Sequence, residues 1–197
     1  MKKKKQPITT AMLARLGILG ALALVLSFLE TVLLPDLPLL PPGAKLGLSN
    51  VVTMLTCSLF GAVPALYITA LKVGFALITR GVTAAMMSGA GGVLATLGMI
   101  LLLRTGQRVF SYFGVGVLCA VLHNAGQLLC ACLLTGSVYL LHYGKYLLLF
   151  AIFTGSLTGL MLNVVMPRLR QAEGNSQFAI CNWAPLKTGS RKGKPAN

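Results

Sequence analysis

Residues 109–134 read VFSYFGVGVLCAVLHNAGQLLCACLL, an apolar run that contains no Asp, Glu, Lys or Arg. About 20 such residues suffice for a helix to cross a bilayer, so the stretch reads as a membrane span. The composition around it agrees. The 197-residue chain is 56% hydrophobic and 10% charged, whereas a soluble domain carries about 25% charged residues. A chain of this length cannot hide so much apolar surface in one core. The fold expected is therefore an all-α polytopic membrane protein, a six-transmembrane-helix bundle. Its spans fall at about 11–34, 47–60, 63–79, 82–103, 109–134 and 146–166, with Pro167 closing the last. Residues 1–10 form a basic N-terminus, 11–167 the membrane domain, and 168–197 a basic polar tail expected to be poorly ordered. The second span is the weakest, because its length gives a rise of only about 21 Å against a core of roughly 30 Å.

A formal charge of +14 suggests nucleic acid until the charges are placed. Lys2 to Lys5 precede the first apolar run, Arg104 and Arg108 share a short gap, and Arg168 and Arg170 follow the last run. Lys187, Arg191, Lys192 and Lys194 lie in the tail. Basic residues in loops and ends are held in the cytoplasm by the positive-inside rule and contact anionic lipid, so membrane lipid is the expected partner and nucleic acid is not. With six spans and both termini cytoplasmic, and Arg15 one turn inside the first span able to snorkel back, only Lys45, Lys72, Arg80 and Lys145 lie elsewhere. The first run is too long for a signal peptide, and Ala21-Leu22-Ala23 lies inside it rather than after it, so it reads as an uncleaved span.

Only three acids occur, Glu30, Asp36 and Glu173. Paired-carboxylate chemistry and Asp-rich magnesium–diphosphate sites need more. The five cysteines are odd in number and mostly intramembrane, which fits packing residues rather than a disulfide framework. His123 has no second intramembrane histidine, so neither a metal nor another cofactor is expected.

The polar residues that interrupt the spans carry the functional signal. Lys72 falls near the middle of the third span, where a lysine costs roughly 2.5–3.5 kcal/mol on insertion scales. Either Lys72 pairs with Glu30 and locks two helices, or it awaits an anionic ligand, with Arg80 and Lys45 at depths that complete a charged cluster. His123 and Gln127 are four apart and share a face of the fifth span, with Asn124 beside them. Three adjacent polar positions in hydrocarbon need partners, from neighbouring helices or from a substrate. Small residues mark close helix contacts: Gly17-x-x-x-Ala21 in the first span, Gly155-x-x-x-Gly159 in the sixth, and Ser88-Gly89-Ala90-Gly91-Gly92 in the fourth.

Residues 45–53 (KLGLSNVVT) and 120–129 (AVLHNAGQLL) resemble the two signature stretches of the bacterial heptaprenyl diphosphate synthase component I family, also called Gx transporters. The resemblance covers about residues 10–170. It implies a fold akin to the substrate-capture (S) components of energy-coupling-factor transporters, with ligand in the outer half beneath the loop after the first span. On that basis Lys45 and Asn50 sit at the mouth of a site lined by Lys72, His123, Asn124 and Gln127. Where relatives carry an arginine, Lys72 keeps the charge without bidentate geometry. Docking on an energising module would use Gly17 and Ala21 in place of the usual Ala-x-x-x-Ala.

Two functions follow as expectations. One is a substrate-binding transport subunit in the bacterial plasma membrane, taking a small polar or anionic organic molecule and energised by a partner. The other is a non-catalytic accessory component of heptaprenyl diphosphate or isoprenoid-quinone synthesis, or of flavin/quinone-linked extracellular electron transfer, with a soluble synthase or redox partner. The chain itself is not expected to be an enzyme, since one Asp cannot build the aspartate-rich motif of a prenyl synthase.

Overall fold

The computed structural model describes residues 10–33, 47–105 and 111–172. Lys45, the N-terminal lysines, Arg108 and the tail beyond Ala172 lie outside the described residues. Among the described residues there are six α-helices: α1 (Thr10–Leu33), α2 (Asn50–Phe60), α3 (Ala62–Arg80), α4 (Val82–Thr105), α5 (Tyr112–Thr135) and α6 (Gly144–Ala172). A 3₁₀ segment, Val138–Tyr143, joins α5 to α6.

Five of these helices are long and apolar enough to cross a membrane, so the chain is a multi-pass membrane protein. The sixth is not. At 11 residues α2 rises only about 16 Å, and the expectation of six full spans becomes five spans and one short helix. Pro167 does not close α6, which continues through it to Ala172. Proline's fixed φ is compatible with a helix, so it forfeits one amide hydrogen bond without ending the element.

Two of the joints are single glycines. Gly61, between α2 and α3, has φ 94° and ψ −171°, and Gly81, between α3 and α4, has φ 86° and ψ −176°. Those combinations are open to glycine almost alone. Each amide returns to the helix it terminates, Gly61 N–H to Cys57 O at 3.0 Å and Gly81 N–H to Leu77 O at 3.1 Å. The chain thus reverses in one residue at each point.

The core is built from small and sulfur-bearing side chains: Met54, Cys57, Ala65, Met99, Val115, Cys119, Leu162 and Met166. Large apolar residues such as Ile18, Ile78, Leu101, Leu133 and Phe153 point outward, as they do when the surrounding solvent is lipid. Helix contact then depends on close approach. A Cβ on Gly116 would lie 2.5 Å from Gly155 O, and one on Gly159 would lie 2.5 Å from Phe113 Cα, so α5 and α6 meet backbone to backbone. Likewise a Cβ on Gly126 would lie 2.8 Å from Ala90 O, which brings α4 against α5. The glycine-rich stretch of α4 leaves that helix unbroken. Hydroxyls in the spans satisfy themselves locally, as Thr69 Oγ1 does on Ala65 O at 3.0 Å, and Thr69 also meets Thr96 across α3 and α4 at 3.0 Å.

Candidate functional site: a polar seat at the start of α2

The short helix matters because of where it begins. Asn50, its first residue, lies against Lys72 near the middle of α3, and the Lys72 ammonium donates to Asn50 Oδ1 at 2.7 Å. Both are buried, Asn50 at 7% and Lys72 at 5% exposure. The N-terminus of α2 is therefore level with the middle of a spanning helix rather than with its end.

Glu30 from α1 holds the lead-in to that helix. Its Oε1 accepts from the amides of Gly47 and Leu48, the latter at 3.0 Å. Asn50 N and Val51 N return to Gly47 O and Leu48 O, so this lead-in already turns into the helix. A carboxylate is the natural partner for amides at a helix start. Glu30 is 4% exposed and also interacts electrostatically with Arg80, the partly buried last residue of α3. The hydrogen-bond partners found for the two expected charge partners are thus Asn50 for Lys72 and the α2 lead-in for Glu30.

The α5 residues complete the seat. His123 is 4% exposed, and its Nε2 lies 2.6 Å from Gln127 Nε2 one turn on. With the amide N–H donating, the ring proton sits on Nδ1. Gly91 of α4 makes room for this pair: a Cβ there would stand 2.6 Å from His123 O and 2.9 Å from His123 Nδ1. Gly47 has φ 86°, and its own Cβ would stand 2.8 Å from Asn50 Nδ2 and 3.1 Å from His123 Cδ2. So Glu30, Gly47, Asn50, Lys72, His123 and Gln127 converge from α1, α2, α3 and α5.

Asn124 does not join them. It faces α6 instead, where its Nδ2 donates to Leu147 O at 2.9 Å beside an open groove of about 190 Å³ walled by Val121, Leu128, Leu147 and Ala151. One residue is 100° of helix, enough to move it from one neighbour to another. Gly17 and Ala21 are exposed, and a Cβ at Gly17 would meet nothing within 4 Å, so among the described residues this pair sits at no close helix contact. Gly155 and Gly159 of α6 pack against Phe113, Gly116 and Val117 of α5, about two to three turns from His123. Thr53, which sequence reasoning passed over, lies one turn along α2 from Asn50 with its hydroxyl buried. Its three-residue spacing from Asn50, which puts both on one face of the helix, was the available signal.

Within the seat Glu30 Oε2, Asn50 Nδ2 and Thr53 Oγ1 are buried and make no hydrogen bond. Each such atom costs about 1–3 kcal/mol. Among the described residues no three of His, Cys, Asp and Glu gather as metal ligands.

These features define a polytopic helical membrane protein with a polar seat inside its bundle. The chain belongs to the heptaprenyl diphosphate synthase component I family, whose model matches residues 19–165. The resemblance of residues 45–53 and 120–129 is thereby borne out. Comparison with curated proteins and with solved structures gives no match. By the description of its family the chain is a component I of such a synthase, and its three acids fall short of an aspartate-rich magnesium–diphosphate site.

Proposed function

We propose that this chain is a membrane-embedded binding subunit for a small polar or anionic organic molecule, energised by a partner. Its seat is lined by Asn50, Lys72, His123 and Gln127. The observation that carries this reading is Lys72. A lysine in mid-span is expensive, and this one is tied to the first residue of a half-length helix beside buried polar atoms that lack partners. Half-length helices that begin inside the bilayer recur at transporter binding sites. Charge placement supports both termini in the cytoplasm of a bacterial cell, and the likeness to energy-coupling-factor S components that the family resemblance implies is the model for a partner-driven cycle. Asn124, turned toward α6, is left as a packing residue. Binding of a co-purified small molecule that disappears in Lys72→Met and His123→Ala, with folding retained, supports this function; unchanged binding in both removes it.

A second reading is favoured by the family match. Component I of a heptaprenyl diphosphate synthase has other components as partners, and a non-catalytic membrane subunit would bring such a partner to the bilayer. It predicts stable co-purification with a soluble prenyl synthase, indifferent to Lys72→Met. The same pull-down distinguishes a redox partner from a synthase.

A further inference from the structure

We infer that the molecule held in this seat presents a hydrogen-bond acceptor beside an N–H donor on one edge, as an amide, imide or ureide does, and carries at most one negative charge. This rests on the seat being a binding site and names the chemistry it selects.

The seat's unpartnered atoms have fixed polarity. Asn50 cannot turn its amide over, because its Oδ1 must face the Lys72 ammonium. Nδ2 is therefore a donor aimed elsewhere, buried and without a hydrogen bond. Glu30 is likewise held, with Oε1 committed to the amides of Gly47 and Leu48. Its Oε2 is an acceptor, buried and without a hydrogen bond. Gly47 touches both: its amide is on Glu30, and a Cβ on it would stand 2.8 Å from Asn50 Nδ2. Thr53 adds a buried hydroxyl one turn along the same face as Asn50, able to serve either way.

An acceptor on Glu30 and a donor on Asn50, both residues bordering Gly47, call for a ligand edge of the opposite pattern. A carbonyl oxygen would take the Asn50 N–H, and the neighbouring N–H would go to Glu30. A polyanionic phosphate meets the opposite situation, since it would bring further negative charge against Glu30 where water does not screen it. Sites built on buried polar groups discriminate strongly, because an analogue that lacks the matching group leaves them unpaired.

Native mass spectrometry of the full chain, extracted gently from its own membrane, tests this by identifying whatever small molecule co-purifies. Occupancy is then compared in Glu30→Gln, Thr53→Val and Lys72→Met. Glu30→Gln keeps an acceptor for Gly47 and Leu48 but puts a donor where Oε2 was, so occupancy should fall at least tenfold. Thr53→Val nearly keeps shape and should lower occupancy without unfolding, which covers the case in which Glu30→Gln fails to fold. A molecule with N–H beside carbonyl that behaves in this way supports the inference. A molecule without N–H, a di- or trianionic phosphate ester, or full occupancy in both Glu30→Gln and Thr53→Val overturns it, while loss in Lys72→Met would still uphold the seat as a binding site. An empty wild-type chain, or one whose ligand survives Lys72→Met, overturns both.

Discussion

Lys72 in mid-α3 donates to Asn50, the first residue of α2, across 2.7 Å of bundle interior. This contact fixes the depth at which the short helix starts, and it makes the two residues unequal. Removing the acceptor leaves a buried charge short of a partner, whereas removing the charge leaves only a neutral amide. Asn50→Val should therefore cost about 1.5–3 kcal/mol, Lys72→Met less, and the double substitution no more than Lys72→Met alone. Reversible unfolding in lipid nanodiscs measures all three; equal costs for the two single variants would show that the charge is supported mainly from elsewhere.

Gly47→Ala should damage both stability and binding. A side chain at φ 86° costs about 1–3 kcal/mol in strain, and its Cβ would press on Asn50 and His123. Gly136→Ala is the control. It also has positive φ, 63°, but nothing lies within 4 Å of its Cβ, so it should lose stability alone and keep ligand occupancy.

The glycines divide by what faces them. Gly91→Ala and Gly126→Ala would drive a methyl against backbone of the neighbouring helix, at 2.6 Å and 2.8 Å, and each should cost about 1–3 kcal/mol as overpacking. Gly17→Ala, which meets open space, should be neutral or slightly stabilising. Thermal melts of the three in one detergent give the ranking directly.

Reporter fusions test the charge-based topology. If the positive-inside rule acts on Arg168 and Arg170 as proposed, an alkaline phosphatase fused after Arg170 should be inactive and a fluorescent protein there active. With five helices of spanning length, both ends on one side requires α2 and its lead-in to complete a further crossing; the opposite pattern would mean that the chain crosses through those five alone.

The helices were legible because hydrophobic runs and glycine breaks are local signals. Two spans were misread: α2, whose apolar run extends back to Gly47 while the helix begins only at Asn50, and α6, which runs through Pro167 to Ala172. His123 and Gln127 were legible as a pair because four residues close one helical turn. Asn124 was grouped with them on adjacency alone, and sequence carries no information on which neighbour lies 100° round the helix. Lys72 announced itself through its cost. Its contact with Asn50, and the grip of Glu30 on Gly47 and Leu48, join residues far apart in sequence through backbone amides, which leave no compositional trace.

The seat also dictates an order of assembly. Ribosomes release α2 second, yet the groups around its first turn come from α1, α3 and α5, and His123 is made some 60 residues after Phe60. An 11-residue helix is too short to enter the bilayer by its own hydrophobicity. It must wait, tethered by Gly61 to α3, until its surroundings exist. The element made second thus completes its surroundings only once α5 is made, and a chain truncated before α5 should leave the start of α2 without its His123 neighbour.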